Sequence, residues 1–154
     1  MLGDSKVNPN TNIKTILLID DEESVLEIGQ LMLEHAGYKV ITASDGKTAL
    51  AQFSGDLYID AVILDLSLPV MSGKEILEGI LARNPEQKVI ISSGYDLGGT
   101  AEELLLKGAD DFLQKPYQME TMLKMVEDVL IKEKSMDLES RRKRLEEIVT
   151  RVRQ

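Results

Sequence analysis

Side chains of the kinds that handle phosphate and metal ions follow four apolar or β-prone stretches of this sequence. They are Asp20-Asp21 after Ile16-Leu17-Leu18-Ile19, Asp65 after Ala61-Val62-Ile63-Leu64, Ser92-Ser93 in the run before Gly94, and Lys115 before Pro116. If these stretches are parallel strands of one sheet, their carboxyl ends lie at one edge, where ligands bind in open sheets. A single acidic pair is more often a solvated turn or a helix cap. The coincidence of four strand ends favours a site.

Three of these side chains are carboxylates, which suggests a metal. Asp20, Asp21 and Asp65 gathered in one pocket would repel each other and raise one another's pKa unless a cation offset their charge. Hard oxygen ligands without histidine or thiol suit Mg²⁺. We therefore predict a magnesium site.

Asp65 also has the chemistry of a nucleophile. Its carboxylate can attack phosphorus in line, while the metal and the Lys115 ammonium offset charge on the phosphoryl oxygens, and an acyl phosphate results. Taken alone, Lys115 would be a surface lysine before a turn, and the two serines would be ordinary strand-end hydroxyls. The pattern leaves open whether Ser92 or Ser93 would contact a phosphoryl group.

Alternating periodicities predict the elements that position these residues. The strands are predicted near 15–20, 38–42, 59–65, 88–92 and 110–114, and the helices near 23–36, 46–54, 73–83, 98–107 and 117–133. The first, third and fourth strands are apolar almost throughout, as parallel strands covered on both faces should be. A doubly wound α/β domain follows, and we predict a flexible leader at 1–13, the domain at 14–134 and a helical tail or linker at 135–154.

Composition narrows the class of protein. The 154 residues are 43% hydrophobic and 29% charged, which suits one folded domain with a modest extension. The absence of cysteine excludes disulfides, thiolate metal sites and a cysteine nucleophile, and it favours a cytoplasmic setting. No apolar stretch approaches the roughly 18 residues of a membrane span. The net charge of −9 opposes direct nucleic-acid or membrane binding.

The tail has a helical pattern of its own. Residues 117–154 contain neither Gly nor Pro, and Leu138, Leu145 and Val152 recur every seven residues, with Ile148 between the last two. This pattern predicts that residues 135–154 extend the fifth helix and support a parallel homodimer through that helix and the tail. A solvated helical tail is the alternative.

Four segments resemble the signature segments of the receiver domain of two-component response regulators. They are Leu17-Leu18-Ile19-Asp20-Asp21-Glu22, Asp65-Leu66-Ser67-Leu68-Pro69-Val70-Met71-Ser72-Gly73, Ile91-Ser92-Ser93-Gly94-Tyr95 and Gly108-Ala109-Asp110-Asp111-Phe112-Leu113-Gln114-Lys115-Pro116-Tyr117. The resemblance covers about residues 14–133. It implies a flavodoxin-like five-stranded sheet in the order 2-1-3-4-5.

The resemblance also implies roles for individual residues. Asp65 would accept a phosphoryl group from a histidine kinase or a histidine phosphotransfer protein. Asp21 would bind Mg²⁺ directly, Asp20 would act mainly through a metal-bound water, and the backbone carbonyl of Ser67 would complete the ligands. The family places its switch hydroxyl 22 positions before the lysine, which selects Ser93.

Phe112, three residues before Lys115, occupies the family's aromatic switch position. It lacks the tyrosine hydroxyl, so any switching would depend on burial of the ring. A plain core role on the fifth strand is the alternative.

The resulting reading is a phosphoacceptor signalling domain, not an enzyme. It would be free-standing, part of a multidomain regulator or the receiver of a hybrid histidine kinase. The sequence leaves two alternatives: a magnesium-dependent phosphatase of the haloacid dehalogenase type, which has Asp-x-Asp on its first strand and usually a cap domain, and a degenerate receiver that acts only as a docking scaffold.

Overall fold

A five-stranded parallel sheet with helices on both faces forms the structure, a computed structural model that describes residues 13–154. The predicted leader therefore lies outside the described residues except for Ile13. Within the described range the strands are β1 (Thr15–Ile19), β2 (Lys39–Ala43), β3 (Ala61–Asp65), β4 (Lys88–Ser93) and β5 (Asp111–Gln114). The helices are α1 (Glu23–His35), α2 (Gly46–Ala51, followed by a 3-10 turn at Gln52–Ser54), α3 (Gly73–Arg83), α4 (Gly99–Lys107), α5 (Met119–Ile131) and α6 (Leu138–Val152).

The strand order is β2-β1-β3-β4-β5, which confirms the predicted fold class and order. Side chains on the central strands alternate between two hydrophobic clusters, because successive residues of a strand point to opposite faces. Leu17 and Ile19 of β1 belong to one cluster, whereas Ile16 and Leu18 belong to the other. Both faces of the sheet are therefore buried, so the predicted near-continuous apolar strands are confirmed.

The loop between β3 and α3 is held by strong local signals. Ser72 caps α3 and forms a capping box with Glu75. Before it, the Met71 amide donates to the Pro69 carbonyl across 2.9 Å, and Val70 between them has φ 73°. This is a γ-turn in the positive-φ form, which is rare and strained, and a β-branched residue is especially disfavoured there.

The C-terminal residues differ from the prediction. The fifth helix does not continue into the tail: α5 ends at Ile131, Lys132 is extended, and α6 begins anew after Asp137, whose side chain accepts from the Ser140 amide. The buried ammonium of Lys134 explains the break, since it donates to the Gly108 carbonyl and to Asp110, both at 2.7 Å. These bonds fasten the connection between the two helices to the domain, so the predicted continuous helix is wrong.

The apolar side of α6 packs on its own domain. Ile148 is 0% exposed and belongs to the same hydrophobic cluster as Phe112 and Leu104, with Leu145 and Val152 packed against that cluster. These residues are three of the four apolar tail residues whose spacing predicted a homodimer. The dimer stays a prediction, and of the four apolar residues that predicted it only Leu138 is left largely exposed.

None of the helices in residues 13–154 is long and apolar enough to cross a membrane.

Candidate functional site

Three carboxylates converge at the carboxyl edge of the sheet. Asp20 and Asp21 follow β1, and Asp65 is the last residue of β3, the strand beside it. One oxygen from each side chain lies within 4.8 Å of the other two. Asp20 and Asp65 are buried, whereas Asp21 is exposed, so solvent reaches the cluster from the Asp21 side. The structure thus brings together the predicted carboxylates.

Lys115 joins the cluster from the far edge of the sheet. It directly follows β5, and its ammonium lies 2.6 Å from Asp20 Oδ2 and 3.3 Å from Asp65 Oδ2. Its backbone amide donates to the Ser93 carbonyl across 2.7 Å, so the end of β4 fixes the backbone position of Lys115. Lys115 is half-buried between two carboxylates, which is not expected of an ordinary surface lysine before a turn.

The electrostatics favour binding of a cation. Burial raises the pKa of Asp65, and the nearby Asp20 raises it further, whereas the Ser67 amide and Lys115 act in the opposite direction. For Lys115, burial acts to lower the pKa, but the hydrogen bond to Asp20 and the charge of Asp65 outweigh it, so its pKa is raised. One lysine therefore does not fully offset the buried negative charge at Asp65.

The carboxylate cluster fits Mg²⁺ by the chemistry of its donors. Hard oxygens are the ligands that this ion prefers, and three carboxylates offer such oxygens within 4.8 Å of one another. Backbone amides orient the side chains, since Glu22 N donates to Asp20 Oδ1 across 2.9 Å and Ser67 N donates to Asp65 Oδ1 across 3.0 Å. The role of the Ser67 carbonyl stays a prediction.

Both serines at the end of β4 are buried, and they differ in position. Ser92 is paired in register with Asp65, on the neighbouring strand. Ser93 lies one residue further on, and its hydroxyl oxygen accepts from the Tyr95 amide across 3.0 Å. The Ser93 hydroxyl thus holds the start of the loop that leads to α4.

Phe112 lies inside the core, with only 1% of its surface exposed. Its cluster includes Leu104 of α4 and Ile148 of α6. The ring is therefore buried as the sequence reading required, and its role in switching stays a prediction.

The sequence analysis missed Asp111, a buried carboxylate at the start of β5. Its Oδ1 accepts from Arg151 across 2.7 Å and its Oδ2 from Arg144 across 2.9 Å, both from α6. Its Oδ1 also accepts from the Phe112 amide. The signal was available: Arg144 and Arg151 are seven residues apart, on one helix face, and a strand of low exposure contains a charged residue that needs a partner.

Comparisons with known proteins agree with this geometry. A family model described as the response regulator receiver domain matches residues 16–127. The response regulator SaeR of Staphylococcus aureus is 32% identical over an alignment 123 residues long, which covers 77% of this chain and 51% of SaeR. This chain thus spans about half the length of the curated relatives it matches.

Solved structures show the same fold. A CheY-like response regulator receiver domain protein of Methanospirillum hungatei has a TM-score of 0.72 and 29% identity, covering 77% of this chain and 94% of that one. The receiver domain of the sensor histidine kinase PA1611 of Pseudomonas aeruginosa has a TM-score of 0.69 and 26% identity, covering 77% of this chain and 98% of that one. In that structure a magnesium ion is coordinated in the active-site cleft.

Proposed function

The chain belongs to the response regulator receiver domain family, and from that premise we propose that Asp65 accepts a phosphoryl group from a phosphohistidine of a partner kinase or phosphotransfer protein. One observation carries the proposal: Asp65 ends a central strand with Asp20, Asp21 and Lys115 gathered around it. The domain would act as a switch, and the partner would supply the phosphoryl group.

In the transfer step, an Asp65 oxygen attacks phosphorus in line, so a P–O bond forms while the P–N bond to the histidine breaks. The electron pair of that bond leaves with the imidazole nitrogen. Lys115 lies on the Oδ2 side of Asp65 and is positioned to neutralise charge on the phosphoryl oxygens. When bound, Mg²⁺ supplies the further positive charge that lets a dianionic group approach carboxylates.

The hydrogen bonds support a division of roles between the two acids after β1. Both oxygens of Asp20 already accept hydrogen bonds, from the Glu22 amide and from Lys115. Asp21 is exposed beside them, and its carboxylate has no hydrogen bond among those resolved for residues 13–154. We therefore assign Asp21 as a direct ligand and Asp20 as a ligand through water, with the Ser67 carbonyl completing the set.

Ser93 and Lys115 would transmit the modification. Both are linked backbone to backbone, and each leads into a different element, α4 for Ser93 and the loop before α5 for Lys115. A hydrogen bond from the Ser93 hydroxyl to a phosphoryl oxygen would draw the loop after β4 toward Asp65 and shift a two-state equilibrium.

The haloacid dehalogenase alternative is not supported. In that class the nucleophile stands on the first strand, whereas Asp65 ends β3 here and β1 is followed by adjacent aspartates. The docking-scaffold alternative is disfavoured, because a carboxylate, a hydroxyl or an ammonium group occupies every position that the chemistry needs.

Labelling by a small phosphodonor tests the proposal. Acetyl phosphate with Mg²⁺ should add one phosphoryl group to the intact chain, detected by mass spectrometry, and a chelator should abolish the addition. Asp65→Asn should remove it, whereas Asp56→Asn, a change at an exposed aspartate, should not. A mass gain that persists in Asp65→Asn contradicts the assignment.

A further inference from the structure

Helix α6 grips β5 through a buried carboxylate. Asp111 is 2% exposed and receives hydrogen bonds from Arg144 and Arg151, which stand two turns apart on α6. Arg151 also donates to the Phe112 carbonyl across 3.0 Å, and Arg144 to the Asp110 carbonyl across 3.3 Å. Such charge-assisted pairs fix geometry as well as position. The helix is thus attached to three consecutive residues, Asp110 just before β5 and the first two residues of that strand.

Apolar side chains of α6 also pack against α4. Ile148 is fully buried in a cluster with Leu104 and Leu105 of α4 and Phe112 of β5. Neither Ile148 nor Phe112 has appreciable exposed surface. If α4 and β5 shift relative to each other, α6 cannot stay closely packed on both of them. Packed interfaces change between discrete arrangements rather than deforming continuously.

The two elements on which α6 packs, α4 and β5, are also connected to the site around Asp65. Only residues 94–98 separate Ser93 from α4, and Lys115 directly follows the last residue of β5. The Lys115 amide donates to the Ser93 carbonyl, which links the connection to α4 with the connection to β5. Any group on Asp65 that engages Ser93 and Lys115 therefore acts on both supports of α6.

We propose that α6 is a lid on the α4–β5 face, and that its docking is coupled to phosphorylation of Asp65. This inference rests on the proposed function. The docked helix holds α4 and β5 in the spacing seen here, and a phosphoryl group that draws Ser93 and Lys115 inward changes that spacing and releases the helix. Because coupling is reciprocal, a docked α6 lowers the affinity of the site for a phosphoryl group by the same factor.

Hydrogen–deuterium exchange on the full, unmodified chain tests the coupling directly. Mg²⁺ with beryllofluoride serves as the phosphoryl mimic, and its binding is followed by protection of amides around Asp65. Amides of 138–152 should then exchange at least about 5-fold faster, the lower end of typical allosteric coupling. Bound beryllofluoride with unchanged exchange in α6 overturns the lid. Failure of beryllofluoride to bind instead overturns the proposed function.

A variant tests the reverse direction. Arg144→Gln combined with Arg151→Gln should loosen α6 and raise the affinity for beryllofluoride about 5-fold or more. Arg142→Gln changes an exposed arginine on the same helix, and it should leave the amide exchange of α6 and the affinity for beryllofluoride unchanged. Ile148→Ala keeps both ion pairs and should act in the same direction as the double variant. Equal affinity in variants whose α6 exchanges faster would refute the coupling.

Discussion

The Lys115 ammonium lies 2.6 Å from an Asp20 oxygen, closer than its 3.3 Å approach to Asp65. The lysine is therefore held mainly by Asp20 and not by Asp65, the proposed nucleophile. A phosphoryl group on Asp65 must compete with Asp20 for this ammonium. A Mg²⁺ ion bound at this cluster would likewise share the negative charge of Asp20 and Asp65 with Lys115.

We expect Lys115→Gln to bind Mg²⁺ more tightly than the unmodified chain. Removing the ammonium frees oxygens of Asp20 and Asp65 and leaves more uncompensated negative charge. A gain of about 3- to 30-fold corresponds to ~0.7–2 kcal/mol, which is reasonable for one charge a few ångströms away at the edge of a protein. Calorimetric titration would measure it, with Lys124→Gln, a surface lysine, as the control. Weaker Mg²⁺ binding in Lys115→Gln would contradict competition.

Asp65→Asn should raise the melting temperature in magnesium-free buffer at neutral pH. The pKa of Asp65 is higher in the folded chain than its ordinary value, chiefly because the carboxyl is buried. The ionised carboxylate therefore costs folding free energy above that raised pKa, and the cost shrinks as the pH falls through it. The gain should be about 2–4 °C per kcal/mol for a chain of this size and should decrease in mildly acidic buffer. Thermal unfolding at both pH values checks the sign, and a gain that grows on acidification would contradict it.

Ser93→Ala should still be phosphorylated but should switch poorly. The lost hydrogen bond to a charged group is worth on the order of 1.5–3 kcal/mol, enough to move a two-state equilibrium more than tenfold. NMR shifts of Phe112 and α4 should respond to beryllofluoride in the unmodified chain and in Ser92→Ala, but only weakly in Ser93→Ala. Equal responses in the two serine variants would remove the distinction between them.

Val70→Gly should stabilise the fold. Val70 is fully exposed, so it loses no packing, and its φ of 73° is a strained conformation for a β-branched residue. We expect about 1 kcal/mol in urea unfolding, once the entropy of the glycine is subtracted. Val70→Ala retains the Cβ atom and much of the strain, so it should gain markedly less. Equal stability of both variants would mean that the turn is not strained.

Ile148→Ala should destabilise the chain by about 2–5 kcal/mol, the usual cost of emptying a buried site of this size. Leu138→Ala should cost less than about 0.5 kcal/mol, because Leu138 is 52% exposed. Chemical unfolding compares the two. Dissociation of the Ile148→Ala variant, at a concentration where sedimentation shows the unmodified chain to be a dimer, would instead restore the tail as a dimer interface.

The sequence was sufficient for the receiver fold because its local signals agree with one another. Apolar runs such as Ala61–Leu64 are typical of parallel strands covered on both faces, and polar residues at the carboxyl ends of such strands share one edge of the sheet. The site carboxylates and Lys115 follow from that rule, although Lys115 is 95 positions from Asp20. The choice of Ser93 over Ser92 depended on the family resemblance, since both serines end the same strand.

The tail could not be predicted in the same way. A seven-residue repeat identifies an apolar helix face, but it does not say whether that face meets a second chain or its own domain. The absence of Gly and Pro between 117 and 154 suggested an unbroken helix, whereas Lys134 and the Asp137 cap end one helix and begin another. The contacts of Lys134 are tertiary, and their partners are about 25 residues earlier in the chain. The Asp137 cap is local, since its partner Ser140 is three residues later.

Helix α6 also covers an open edge of the sheet, because it is attached to β5. This strand is the last in the sheet, so one side of its backbone has no neighbouring strand. An open edge of that kind is a template on which another chain can add a strand and begin to aggregate. Guanidinium groups of Arg144 and Arg151 occupy the Asp110 and Phe112 carbonyls there. We therefore expect the helix to protect this edge against misassembly, and a chain shortened at residue 134 to be less soluble as well as lacking the helix.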